Sequence, residues 1–375
     1  MNQNIVFYVP SFGISVGGAE RQADLLLQSF WLLRKKRVFV ICKSGVFRYS
    51  NLGSLQQIKN FAFVNGQSSF LKLVHIYQVL AFVYCLPRCK LAVHFHSLSA
   101  TALIIGFFLS FLAPIRHRSA CFFKVPRTGP FSPLDWDQAS LFSKSLFKIN
   151  IKRKAIFVGL TPEAIDRLKN IGVSKSRCIL IPNGVRTVPL KKLKLWEKRR
   201  QNFLVVGRLI ERKKVVEILD AWIESGIVPG AKLYVIGDGP EMEAVRGKTL
   251  SVLGKYSIVI CGELTALEIE KLAKSSRYFV LASVSEGLSN ALLEAMSFGL
   301  VPIVRDIPEN RYVVSHNYSG LLFQDRNELV TCLKKSKQNL LDKSLMTNSV
   351  NSVSRTCDIL SVSEQYLKLY DETLT

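Results

Sequence analysis

Residues 280–304 read V-L-A-S-V-S-E-G-L-S-N-A-L-L-E-A-M-S-F-G-L-V-P-I-V, and this stretch decides the fold class. The apolar run Tyr278 to Ala282 has the composition of a strand buried on both faces of a parallel sheet. A polar turn, Ser283 to Asn290, leads into a helix with Asn290 at its N-cap, running to about Phe298. Gly299 closes that helix, and Leu300 to Val304, entered through Pro302, is the next buried strand. A strand, a loop, a helix and a second buried strand make one unit of an α/β fold, and such sheets bind ligands at the carboxyl ends of their strands. The loop would turn the amides of Gly287, Leu288, Ser289 and Asn290 toward an anion or a sugar hydroxyl. Glu286 in the loop and Glu294 one turn into the helix can reach the same pocket, because a helical side chain leans over its preceding turn. Two carboxylates there suit bidentate hydrogen bonds to the vicinal hydroxyls of a ribose or a hexose. Spacing alone equally allows two solvated glutamates on an ordinary strand–loop–helix.

The residues themselves say more than the spacing. Glu286 and Glu294, set in S-E-G-L-S-N-A-L-L-E-A-M-S-F-G-L-V-P-I-V, closely resemble the signature of retaining glycosyltransferases of the GT-B fold, family 4. The resemblance implies an α/β chain with two Rossmann-like domains, their parallel sheets facing across a cleft. In G-G-A-E-R, the glycines Gly17 and Gly18 by themselves permit close backbone approach at a helix N-terminus. The family's first-loop motif is similar, and it implies that they lie beside the donor phosphates and the acceptor. Arg208 and Lys213 flank a loop where two cations can neutralise a pyrophosphate, Arg bidentately and Lys as a point charge. Read in isolation the loop is a solvated basic turn; G-R-L-I-E-R-K-K resembles the family's diphosphate clamp, with Lys214 standing where members carry Gly. Ile258 to Cys261 followed by G-E-L-T resembles the family's next loop, and the resemblance implies that Gly262 and Glu263 border the nucleotide base.

The first half departs from the family. Many members place a His after the strand Ser119 to Phe123, whereas this chain has Lys124, Pro126 and Arg127, so a cation is expected to serve the sugar or an acceptor phosphate. His94 and His96 end the strand Lys90 to His94, and His96 joins Lys124 and Arg127 as a candidate sugar or acceptor contact. His-x-His has no evident third ligand, and Asp135-Trp136-Asp137 sits in a Pro-rich loop instead of at a strand end, so no metal site is expected.

Length and charge set the frame. The chain has 375 residues, 48% of them apolar, enough for two domains with a core each. Its 51 Lys and Arg against 28 Asp and Glu give a net charge of +23, which implies an anionic partner. No nucleic-acid recognition module accompanies the charge, so an anionic membrane surface or a phosphorylated substrate is favoured. The helix Leu98 to Leu112, flanked by Arg88, Lys90, Arg116 and Arg118, reads as a buried core helix or as a membrane-surface patch. Eight scattered cysteines with no CxxC pair fit a reduced, intracellular compartment. The N-terminus enters a strand with no basic region before it, which predicts no signal peptide.

The expected domains are residues 1–185 with a C-terminal helix 361–375 crossing back, a basic linker 186–200, and a nucleotide-sugar-binding domain 201–360. What the resemblance implies is a retaining, metal-independent glycosyltransferase with no cofactor beyond its nucleotide diphosphate sugar, expected to be UDP-linked. In that picture Glu294 holds the ribose, Arg208 and Lys213 the diphosphate, and Glu286 with the amides after it the sugar. The acceptor is expected to be a saccharide or lipid-linked saccharide of capsule, O-antigen or exopolysaccharide assembly, at the inner face of the plasma membrane. A degenerate GT-B scaffold protein and a sugar-nucleotide epimerase of the same fold remain as alternatives.

Overall fold

The computed structural model of the protein describes residues 3–10, 18–34, 37–42, 45–49, 55–57, 69–125, 141–193, 195–226, 230–252, 255, 257–337 and 343–375. The chain divides into two compact units, Met1–Gly184 with Ile359–Thr375, and Val185–Asp358.

The first unit opens with β1 (Gln3–Tyr8), α1 (Gly18–Arg34), β2 (Arg37–Cys42), β3 (Gly45–Tyr49), β4 (Leu55–Gln57) and α2 (Ser69–Cys85). It continues with β5 (Lys90–Phe95), α3 (Ala100–Arg116), β6 (Arg118–Val125), α4 (Leu141–Lys152), β7 (Ile156–Gly159), α5 (Pro162–Asn170) and β8 (Cys178–Leu180). Among the described residues the sheet order is β4-β3-β2-β1-β5-β6-β7-β8. Strands β2, β1, β5, β6, β7 and β8 run parallel, while β3 and β4 add an antiparallel edge that the sequence reading lacked. The apolar run Phe61 to Val64, which by sequence reads as a further strand, lies outside the described residues. Side chains alternate along the central strands, and both faces are buried. Val6 and Tyr8 enter the core beneath α2, α3 and α4, whereas Ile5 and Phe7 enter the core under α1 and the C-terminal helix.

The second unit comprises β9 (Phe203–Val206), α6 (Val215–Glu224), β10 (Leu233–Ile236), α7 (Met242–Leu250), β11 (Ile258–Gly262), α8 (Ala266–Ser275) and β12 (Tyr278–Leu281). It ends with α9 (Asn290–Ser297), β13 (Val301–Arg305), α10 (Pro308–Arg311), β14 (Leu321–Phe323), α11 (Arg326–Lys337) and α12 (Lys343–Cys357). Its parallel sheet has the order β11-β10-β9-β12-β13-β14. The last helix, α13 (Ile359–Leu374), packs on α1, β5 and β6 of the first unit.

Element boundaries follow local chemistry. Thr161 caps α5 by accepting from the Ala164 amide at 3.4 Å, with Pro162 in its first turn. Two sequence expectations are corrected. The N-cap of α9 is Ser289, whose hydroxyl accepts from the Leu292 amide at 3.5 Å, and Asn290 is its first helical residue. Both residue types cap well; the one whose oxygen reaches the amide three residues on decides. Likewise α3 starts at Ala100 behind the cap Ser99, and it carries Pro114 within its last turn.

Residues 186–200, expected as a linker, are built into the second unit. Leu193 and Trp196 are buried, and the Trp196 ring meets Tyr278 edge-on at 5.7 Å. Arg199 is buried and donates to the carbonyls of Phe298 (2.8 Å), Ser276 (3.1 Å) and Gly299 (3.2 Å), closing the C-terminus of α9. Burial, with the nearby Arg277 charge, lowers the Arg199 pKa to about 10.

Candidate functional site

In the second sheet the chain steps outward from β9 to β10 and β11, then returns to place β12 on the other side of β9. The strand order therefore reverses between β9 and β12, and the loops leaving these two strands flank the switch point where such sheets bind ligands. One loop carries Arg208, Arg212 and Lys213, and the other carries Glu286 and leads into α9.

Close backbone contacts set the first loop. The Gly207 amide donates to the Ile236 carbonyl (3.0 Å), and the Leu209 amide donates to the Asp238 carbonyl (2.8 Å). Gly237, at φ +131°, faces Gly207 so closely that a Cβ would lie 2.0 Å from the Gly207 oxygen. No residue but glycine fits there without moving the loop. At its far end Lys214 adopts the left-handed conformation, φ +51° and ψ 42°, as it enters α6. The turn that a glycine would make is thus kept at Lys214, at a cost of roughly 1 kcal/mol.

The second loop is fixed from both sides. The Val284 amide donates to the Arg212 carbonyl at 3.0 Å. Arg305, at the end of β13, donates to the Ala282 carbonyl (2.8 Å) and pairs with Glu217 of α6 (2.6 Å). Glu286, with a side chain 8% exposed, forms an ion pair with Lys213 and a longer one with Arg212 at 3.4 Å. The same Arg212 nitrogen donates to the Ser285 carbonyl at 2.8 Å. Burial would raise the Glu286 carboxyl pKa, but Lys213 and Arg212 outweigh it and hold the pKa below its ordinary value. The acid is a carboxylate at neutral pH.

The expected donor-site residues of this unit lie at the end of β11 and in the segments that follow β9, β11 and β12. Arg208 is exposed, Gly287 and Asn290 are half-buried, and Leu288 and Ser289 are buried at the entry to α9. Glu294 is half-buried on α9. Gly262 has φ +66° with open space where a Cβ would stand, and Glu263 beside it is exposed. Sequence reasoning missed Arg212, because E-R-K-K reads as a solvated basic run. The available signal was its place directly before Lys213, in a loop that must approach the β12 loop.

In the first unit the strand order reverses between β1 and β5. Gly18 begins α1 and is exposed; Gly17, Arg127 and Asp135 to Asp137 lie outside the described residues. Lys124 is within β6, not after it, and is 4% exposed. It shares a buried face with His94 and His96, whose rings stand 4.6 Å apart, each 5.1 Å from the Phe7 ring. His94 Nδ1 meets the Tyr370 hydroxyl of α13 at 2.6 Å, whereas His94 Nε2 and both His96 nitrogens have no hydrogen-bond partner among the described residues. Burial lowers the Lys124 pKa to about 7. Burial also lowers both histidines, helped by Lys124 and, at His96, by His94. Among the described residues no group of three His, Cys, Asp or Glu is placed to hold a metal ion.

This geometry sets two cations against a buried carboxylate at the switch point of the sheet, and comparison with known proteins finds the segment that carries it in one family model. The glycosyl transferases group 1 family matches residues 200–339, the segment that carries the paired loops. That segment is similar to the group 1 domain of this family. The chain is 27% identical over 222 residues, 54% of its length, to the UDP-Gal:alpha-D-GlcNAc-diphosphoundecaprenol alpha-1,3-galactosyltransferase of Escherichia coli. It is 23% identical over 246 residues, 61% of its length, to the N,N'-diacetylbacillosaminyl-diphospho-undecaprenol alpha-1,3-N-acetylgalactosaminyltransferase of Campylobacter jejuni. The matched stretches span 57% and 64% of those two relatives. Among solved structures, Anabaena HepE in complex with UDP-glucose superposes with a TM-score of 0.70 at 15% identity, covering 98% of this chain and 99% of that one. The fold is GT-B.

Proposed function

We propose that the protein is a retaining, metal-independent glycosyltransferase that moves a sugar from a UDP-sugar to a lipid-linked saccharide. The observation that carries this is the cluster of Lys213, Arg212 and Glu286 between the two loops at the switch point of the group 1 domain. Arg208 and Lys213 take the diphosphate, and Glu294 the ribose hydroxyls. Gly262 and Glu263 border the base, and Gly17 and Gly18 lie by the donor phosphates. Glu286, with Gly287, Leu288, Ser289 and Asn290, holds hydroxyls of the transferred sugar, while His96, Lys124 and Arg127 serve the acceptor side. As the glycosidic bond breaks, negative charge grows on the departing phosphate oxygen; fixed cations and the N-terminus of α9 stabilise it there more than in the ground state. The departing phosphate oxygen then takes the proton of the acceptor hydroxyl, and the sugar keeps its anomeric configuration.

The acceptor class is supported by the two relatives, both named for transfer to diphosphoundecaprenol-linked sugars. A surface of the first unit fits work at a cytoplasmic membrane face. Helices α2, α3 and α4 lie side by side and expose Tyr77, Phe108, Phe111, Leu141 and Phe142. The Arg153 guanidinium covers the Phe111 ring at 3.3 Å. From Leu25 to Leu134 the sequence has no Asp or Glu, so no acid from that stretch opposes an anionic bilayer. Among the described residues no helix is long and apolar enough to cross a membrane.

The test is turnover of a UDP-sugar panel with an undecaprenyl diphosphate-linked saccharide, reading the anomeric configuration of the product by NMR. Transfer with retention, in the presence of a chelator, is the expected result. An inverted product would overturn the retaining mechanism. Hydrolysis or isomerisation of the sugar nucleotide without transfer would point to the epimerase reading. Pelleting with anionic vesicles at moderate salt tests the surface; a protein left in the supernatant would remove the membrane from the account.

A further inference from the structure

Lys213 has two claims on it. Its ammonium is paired with Glu286 in the site as it stands, and the donor reading asks the same ammonium to meet a diphosphate. Glu286 cannot be left alone, because its side chain is 8% exposed and an unpaired buried carboxylate is strongly disfavoured. Arg212 is placed to solve this. Its backbone carbonyl anchors the Val284 amide (3.0 Å), and one guanidinium nitrogen reaches both the Ser285 carbonyl (2.8 Å) and Glu286 Oε2 (3.4 Å). Lys213 sits on the other carboxylate oxygen, Oε1. The two cations therefore hold separate oxygens, and either can leave without displacing the other.

We propose that Arg212 is a positioning residue that remains as the counter-ion of Glu286 when Lys213 turns to the donor diphosphate, so that one ammonium is handed from carboxylate to phosphate. The inference rests on the nucleotide diphosphate reading above. Arg212 need not touch the donor. It acts by keeping the β12 loop in place and by freeing Lys213. A guanidinium suits the task, since its planar set of donors can hold a carbonyl and a carboxylate together, which a single ammonium does less well. Without Arg212 the diphosphate must compete with Glu286 for Lys213, and affinity drops. With Glu286 neutralised that competition vanishes, and Arg212 should no longer matter.

The experiment titrates UDP, and separately inorganic pyrophosphate, into the full-length protein and into Arg212→Met, Glu286→Gln and the double variant Arg212→Met/Glu286→Gln. Arg212→Lys is included as the charge-keeping control, and near-UV circular dichroism checks that each variant is folded. The expected result is a loss of about tenfold or more for both ligands in Arg212→Met, equivalent to about 1.4 kcal/mol. Binding should return to within about threefold of the Glu286→Gln value in the double variant, and Arg212→Lys should recover most of the affinity. A loss that persists in the Glu286→Gln background would overturn the inference, because Arg212 would then act on the ligand directly or only through loop shape. No loss in Arg212→Met would overturn it as well. If pyrophosphate follows the expected pattern while UDP does not bind, the hand-off stands and the donor reading falls. If neither ligand binds the folded wild type, both fall.

Discussion

Lys124 is a buried amine on β6 whose titration should show directly in the stability of the protein. It lies close enough to His94 and His96 for its charge to lower both rings. Burial lowers its pKa from the ordinary 10.5 to about 7. The unfolded chain therefore binds this proton below about pH 10.5, and the folded chain only below about pH 7. In that window the unfolded state holds more protons, so stability falls as pH falls. At about 1.4 kcal/mol per pH unit, the gap of about 3.5 units integrates to about 5 kcal/mol, of which roughly 2–5 should be measurable once local relaxation is allowed for. Lys124→Met keeps the bulk of the chain and removes the titration. Urea unfolding of wild type and variant, at about pH 7 and again at about pH 10, isolates the effect from other titrating groups. The variant should be the more stable protein by that margin near pH 7, with the difference shrinking toward zero near pH 10. A pH-independent difference, or a variant less stable near pH 7, would refute the reasoning and mean that the ammonium is charged and paired in the folded protein.

Two smaller predictions concern the loops of the group 1 domain. Lys214→Gly relieves a left-handed residue at φ +51° and should raise the urea midpoint by the equivalent of about 0.5–1 kcal/mol, with UDP affinity unchanged. Gly237→Ala would drive a Cβ into the Gly207 carbonyl at a positive φ and should cost roughly 2–4 kcal/mol; because it shifts the Gly207–Lys213 segment, nucleotide binding should fall with it. A Gly237→Ala protein of native stability would show that the two loops are not packed as described.

Much of the second unit was legible because apolar runs such as Phe203–Val206 and Tyr278–Leu281 are short, buried on both faces and punctuated by Gly, Pro or a capping residue. Glu286 and Lys213 could be singled out from their motifs, and the structure brings them into one ion pair. Arg212 could not, since its partner Ser285 lies 73 residues away and only the folded loops bring them together. The same holds for Arg199, which reads as part of a basic linker until the carbonyls at the end of α9 are in place. His94 and His96 were placed at the end of their strand and Lys124 just past the end of its own, which in fact contains it, but their burial was hidden, because Tyr366 and Tyr370 cover that face from the far end of the chain. The antiparallel pair β3 and β4 escaped because Gly45–Tyr49 and Leu55–Gln57 are too short to show a period. Lys214, which stands where the family motif carries Gly, adopts a left-handed conformation of the kind glycine favours.

The loops after β9 and β12 are proposed to bind a nucleotide diphosphate through Arg208 and Lys213. Calorimetric titration of UDP and of GDP into the wild type and into Arg208→Ala tests this binding most directly. Micromolar binding of UDP in preference to GDP, lost in the variant while its fold is retained, is the expected result. No binding of either nucleotide by the folded wild type, or equal binding by Arg208→Ala, would contradict it.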